Sequence, residues 1–211
     1  MSTLAELRTL VLDRMNASSN DQMFEPARID RTLNQALAAL GREADWPWLV
    51  AVDTITWPVD TASLDLTTVL TNFRTIKHLR HETRALQTVS PKEFANYTER
   101  TGEYPMVYSI VNTTVYLAPY PTAAEQDIDI IYVRDEAVLA SDNSEPLLPA
   151  AYNELLVLAT CKPLSVAAKD GERYQLVHKE YIEKLQQAKD DVRRSRDLLQ
   201  ITHDESLWRF I

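Results

Sequence analysis

Apolar residues near the start of the chain recur at spacings of three and four: Leu4, Leu7, Val11 and Met15. That period predicts a first helix of about three turns. Thr3 and Glu6 stand where a capping box would place them, hydroxyl and carboxylate satisfying the first free amides. A polar stretch from Asn16 to Glu25, closed by Phe24 and Pro26, separates it from a second helical pattern, Ile29, Leu33, Ala36, Leu37 and Leu40. Pro26 suits the first position of that helix, where its missing N–H costs nothing. Pro47, in Asp45-Trp46-Pro47-Trp48, ends it.

The period changes at Trp48. From Val50 to about Val133 the chain is rich in Thr, Val, Ile and Tyr, with alternation of period two. Ala51, Asp53, Ile55 and Trp57 fall on one face of a strand, Val50, Val52, Thr54 and Thr56 on the other. Pro105 to Tyr116 reads as a hairpin around Val111-Asn112-Thr113, its return strand stopped by Pro119 and Pro121. Asp127 to Val133 reads as a strand with Ile128, Ile130 and Tyr132 opposite Asp129 and Ile131. Within the block, Ser90-Pro91-Lys92-Glu93 offers an N-cap, a proline at the first position and an acid in the first turn. Helical spacing then returns in Tyr152, Leu155, Leu156, Leu158 and Ala159, a helix that Pro163 is expected to interrupt. From Gly171 a long helix carries Tyr174, Val177, Tyr181, Leu185, Ala188 and Val192 on one face, with both charge signs on the other.

This order predicts an α+β fold: a helical core of two N-terminal and two or more C-terminal helices, with an antiparallel β subdomain inserted. The expected segments are 1–49 (N-terminal helices), 50–134 (inserted β subdomain), 135–200 (C-terminal helices completing the helical core) and 201–211 (a tail). No internal repeat is visible. Trp46, Trp48 and Trp57 at the helix–β junction are expected in the interior.

Composition narrows the function. The chain has 211 residues and a formal net charge of −9, which disfavours a protein whose main work is gripping nucleic-acid phosphates. Its single cysteine, Cys161, cannot staple the chain to itself. Met1 to Met15 has no uninterrupted apolar run, so no signal peptide is expected, and no stretch approaches the ~20 apolar residues of a membrane span. Only three glycines, Gly41, Gly102 and Gly171, are scattered along the sequence. A phosphate-cradling loop needs them clustered, so nucleotide-binding loops are excluded.

Few side chains are grouped for chemistry. His78 and His81 lie three apart with Lys77, Arg80 and Arg84 beside them; on a strand they face opposite sides, and like charge crowds a cation. Asp127 and Asp129 share a strand face and could do acid–base work, although a charged outer face is ordinary for an antiparallel strand. Cys161 sits in an apolar helix with no histidine near in sequence, which suits a small buried hydrophobe better than a nucleophile. Arg193-Arg194-Ser195-Arg196 could touch phosphates, but Asp190, Asp191 and Asp197 flank it. No metal, cofactor or catalytic residue is assigned; a small acidic enzyme using the β-block carboxylates or histidines stays open as the alternative function. The tail, Leu207, Trp208, Arg209, Phe210 and Ile211, is the most distinctive feature. A hydrophobic end needs burial, on this chain's own core or in a partner, and an arginine among aromatics is typical interface material.

Taken together, the capping box, Asp45-Trp46-Pro47-Trp48, Leu64-Asp65-Leu66, Ser90-Pro91-Lys92-Glu93-Phe94, Gly102-Glu103-Tyr104-Pro105-Met106-Val107-Tyr108, Val115-Tyr116-Leu117-Ala118-Pro119-Tyr120-Pro121, Ile128-Asp129-Ile130-Ile131-Tyr132 and Glu145-Pro146-Leu147-Leu148-Pro149-Ala150-Ala151-Tyr152 form a recognisable series. In that order it resembles the head-to-tail adaptor (connector) proteins of tailed bacteriophages, the group that includes tail tubular protein A, over nearly the whole chain. The resemblance implies a structural virion protein, made in the host bacterial cytoplasm, with no chemistry of its own. It implies a homo-oligomeric ring, commonly a dodecamer, between the portal protein and the tail or nozzle protein, through which DNA passes without specific binding and without a membrane. It further implies that the segment 201–211 docks on the portal through Leu207, Trp208, Arg209, Phe210 and Ile211, and that the β block is tail-facing or peripheral.

Overall fold

The Thr3 hydroxyl accepts from the Glu6 amide, and the Glu6 carboxylate accepts in turn from the Thr3 N–H at 3.1 Å. The reciprocal cap that starts the first helix is therefore formed. The computed structural model of the chain describes residues 2–18, 21–97 and 104–202, with side chains as far as Arg194. In chain order the elements are α1 (Leu4–Met15), α2 (Pro26–Glu43), β1 (Val50–Trp57), β2 (Ser63–Asp65), β3 (Phe73–His81), β4 (Arg84–Ala85), β5 (Gln87–Thr88), α3 (Pro91–Phe94), β6 (Val107–Val111), β7 (Thr114–Ala118), β8 (Gln126–Arg134), α4 (Asn153–Ala167) and α5 (Gly171–Thr202). The class is α+β, as the change of period predicts. The chain divides into two units, Met1–Trp48 with Glu136–Ile211, and Leu49–Asp135.

In the first unit α4 is the centre. Leu155, Leu156, Val157, Leu158, Cys161 and Leu164 are all buried, and α1, α2 and α5 each pack against this helix. A helix apolar around most of its circumference must be covered by several neighbours, and these supply matching stripes. α1 gives Leu4, Leu7, Val11 and Met15; α2 gives Ile29, Leu33, Leu37 and Leu40; α5 gives Val177, Tyr181, Leu185, Ala188 and Val192. Each fully buried Leu or Ile contributes roughly 1.5–3 kcal/mol. The Trp46 indole N–H donates to the Leu40 carbonyl at 2.6 Å, satisfying an oxygen that the end of α2 leaves open. Trp46 stacks on Trp48, and Trp48 on Tyr152, with centroids 4.7 and 5.0 Å apart.

α4 does not stop at Pro163 as expected; it runs on to Ala167. Pro163 lies on the exposed side, whereas Leu164 and Ser165 are buried. The missing amide therefore costs a hydrogen bond only where water can take its place, and burial of the next turn carries the helix through.

The stretch between the strands and α4 is strapped to the helices by hydrogen bonds. The Leu4 and Ala5 amides donate to the Ser144 and Asp142 carbonyls at 2.9 and 3.2 Å. Asn34 on α2 accepts from the Leu139 amide at 2.8 Å and donates to its carbonyl at 3.2 Å. The Arg8 guanidinium bridges Asp30 and Asp142.

The second unit holds two four-stranded sheets, ordered β1-β8-β3-β4 and β2-β7-β6-β5. The long β1–β8 ladder is antiparallel, running from Val50 opposite Val133 to Trp57 opposite Gln126. The β6–β7 hairpin turns at Asn112, whose φ of 57° is a conformation that asparagine tolerates. One pairing departs from the antiparallel expectation: β5 runs parallel to β6. The chain reaches β5 straight from β4, so its direction is fixed by where it leaves the other sheet. Ile55, Trp57, Leu79, Ile128, Ile130 and Tyr132 from one sheet share a core with Tyr108, Val115 and Leu117 from the other. On β1 the buried face is therefore the one carrying Ile55 and Trp57, and Val52 on the opposite face is 73% exposed.

Candidate functional site

α5 is a 32-residue helix that packs on the 15-residue α4. At 1.5 Å per residue their lengths are about 48 and 22 Å. Lys184 on α5 pairs with Glu154, in the first turn of α4, at 2.7 Å. The residues of α5 after this level thus run past the helix that supports it. Two further ion pairs tie α5 down, Arg14 with Glu180 and Lys189 with Glu43. All are half-exposed, so each contributes at most about 1 kcal/mol. These cross-helix pairs are not visible in the sequence, because Lys189 lies 146 residues from its partner. The Lys162 ammonium sits 4.1 Å from the centre of the Tyr181 ring, and burial raises the Tyr181 phenol above its ordinary range.

The β-block carboxylates stand on the exposed face of the β1–β8–β3 sheet. The Thr54 hydroxyl donates to Asp129 and the Thr56 hydroxyl to Asp127, each at 2.9 Å. Arg80 donates to Asp129 through Nη2 at 2.8 Å and Nε at 3.2 Å. Hydrogen bonding from Arg80 holds the Asp129 carboxyl below its usual range; the Thr54 hydroxyl and the Arg80 charge assist, and partial burial opposes. A carboxylate fixed by an arginine and a threonine is held ionised, the opposite of a poised acid. The two aspartates are ladder groups that order the outer face of the sheet.

His78 and His81 part company as their spacing predicts. His78 is exposed, whereas His81 is buried and its Nε2 lies 2.7 Å from Gln126 Oε1. His81 lines a cleft of about 370 Å³ with Glu82, Arg84, Leu86, Tyr104 and Met106. Among the described residues, no three His, Cys, Asp or Glu side chains group closely enough to hold a metal ion. Cys161 is wholly buried, and desolvation pushes its thiol up to about 12. It is protonated at neutral pH and serves as a core residue. Arg193 and Arg194 are exposed on α5; the side chains of Ser195 and Arg196 lie outside the described residues. So does the whole tail expected to dock on the portal, Leu207, Trp208, Arg209, Phe210 and Ile211. Among the described residues, no helix is long and apolar enough to cross a membrane.

Among the described residues, neither the sheet face nor the cleft sets a reactive group beside a base that could activate it. The long mixed-charge helix and the chain that it carries are what distinguish the molecule. Compared with protein families, residues 2–202 match the family described as SU10 adaptor protein. No curated protein matches the chain.

Proposed function

The chain belongs to the SU10 adaptor protein family and is a structural adaptor of a bacteriophage, and from that premise we propose that it forms a homo-oligomeric ring, twelve-fold in the usual case, between portal and tail. The ring continues the DNA channel and works without catalysis or cofactor. It is a virion component made in the host cytoplasm. In this reading residues 1–49 and 135–200 make the helical body, 50–134 the peripheral or tail-facing β part, and 201–211 the segment that docks on the portal through Leu207, Trp208, Arg209, Phe210 and Ile211.

The observation that carries this reading is the disproportion of α5 to α4. α5 runs on past the start of α4 as far as Thr202, and in this reading the apolar segment that follows it in sequence seats in a partner. The acidic balance agrees with a conduit, since a basic groove would retain its cargo. The test is negative-stain electron microscopy of the protein mixed with the portal protein of its own genome. An added ring of density beneath the portal is expected. A folded protein beside a bare portal overturns the reading. Removal of 202–211 is expected to leave the helical body folded and to abolish attachment; full attachment by that truncation removes the tail from the contact.

A further inference from the structure

With α4 enclosed by its neighbours, α2 and α5 each turn an outer face to solvent. On α2 the stripe opposite the core positions is Arg31, Gln35, Ala38 and Arg42, spaced four, three and four, and all four residues are exposed. It contains no acid. Neither arginine forms an ion pair among the described residues, while Arg8, Arg14, Arg173, Lys184 and Lys189 of the same unit are all paired. On α5 the corresponding outer stripe carries Glu172, Leu176, Lys179, Glu183 and Asp190, with Ile182 beside it. Lys179 is its one cation, and neither Glu172 nor Glu183 has an ion-pair partner among the described residues. Leu176 and Ile182 are 58% and 49% exposed.

The two stripes match in sign, spacing and relief. Arg31 and Arg42 are eleven residues apart, and so are Glu172 and Glu183; eleven residues are three turns, about 16 Å on either helix. Between the charges α2 is small at Ala38, and α5 protrudes at Leu176. An arginine stripe alone could equally meet phosphates. A complementary acidic stripe on the same chain favours a second copy. Because the two stripes are different surfaces, the contact between copies is heterologous, the type that closes into a ring.

We propose that adjacent copies of this chain associate by docking the Arg31–Arg42 stripe of α2 on the Glu172–Glu183 stripe of α5. The contact rests on the ring reading above and names the surfaces that build it. Two variants test it, R31E/R42E and E172K/E183K, each altering exposed side chains only and each checked for its helical circular dichroism. Assembly on the portal protein of the same genome is followed by electron microscopy and by sedimentation against adaptor concentration. Each variant alone is expected to need about tenfold more protein, or more, to form rings. The first variant is acidic on both faces and the second basic on both, so an equimolar mixture alternates them and is expected to restore assembly. A wild-type ring that neither reversal weakens, or a mixture without rescue, overturns the contact and leaves the ring standing. A wild-type chain that forms no ring removes the ring reading and this contact together.

Discussion

Asn34 offers a quantitative test of how the helical unit is closed. Its side chain accepts from the Leu139 amide at 2.8 Å and donates to the Leu139 carbonyl at 3.2 Å and to the Asp30 carbonyl at 3.0 Å. Leu139 is only 4% exposed, so water cannot readily replace the lost partner. Replacing Asn34 by Ala removes two hydrogen bonds to a segment 105 residues away. At about 1 kcal/mol each, with an added penalty for an orphaned amide and carbonyl, the expected loss is about 2–3 kcal/mol. Urea unfolding followed by circular dichroism at 222 nm would show the midpoint falling by about 1 M, for a slope near 2 kcal/mol/M. Asn34→Asp is expected to cost more at neutral pH. The carboxylate still accepts from the Leu139 amide but faces the Leu139 carbonyl oxygen, which now lacks a donor, and the Asp30 carbonyl oxygen, which raises its folded-state pKa. A raised carboxyl pKa makes the excess penalty present above that pKa and lost as pH falls below it, when the protonated acid can donate again. The gap between the Asp and Ala variants should therefore narrow between pH 7 and pH 4. A loss below about 0.5 kcal/mol for Ala, or a pH-independent gap, would refute the reasoning.

Other expectations follow from the same structure. Cys161, its thiol raised by burial to about 12, should resist Ellman's reagent in the native protein at pH 8 and react once urea unfolds it; rapid native labelling would contradict its burial. Asp129→Asn should cost no more than about 1 kcal/mol, because the Arg80 pair is half-exposed. Since pairing lowers the Asp129 pKa, its contribution is fully present above the ordinary carboxylate range and fades as pH drops through the lowered value, so variant and parent should converge in acid. Pro163→Ala should stabilise α4 by about 1 kcal/mol, by restoring an amide donor on an exposed helical surface; a measured loss would show that the proline ring has a packing role.

Much of the fold was legible because burial writes a period into the sequence. The stripe Leu4, Leu7, Val11, Met15, the stripe Val177, Tyr181, Leu185, Ala188, Val192 and the alternation of Ile128, Ile130 and Tyr132 each state which face must leave water, and each face is buried. Capping at Thr3 and Ser90 was legible for a related reason, since the groups that satisfy a helix start lie within three residues of it. The likeness to phage adaptors was also carried by the order of short sequence landmarks, and the family match spans residues 2–202.

Other features depend on partners distant in the chain. Whether Pro163 breaks α4 turns on which side of the helix meets solvent, which is set by α1, α2 and α5 together. That Asp129 is locked by Arg80 and Thr54 follows from strand order, with β8 lying between β1 and β3. The parallel entry of β5, the amide clasp of Asn34 on Leu139, and the pairing of Glu43 with Lys189 have the same character. Local sequence determined which elements form and which faces they bury, because those choices are settled by neighbours three or four residues away. Which polar groups meet was decided only when the chain closed on itself, because a charge or an amide is satisfied by whatever the packing of the apolar faces brings beside it.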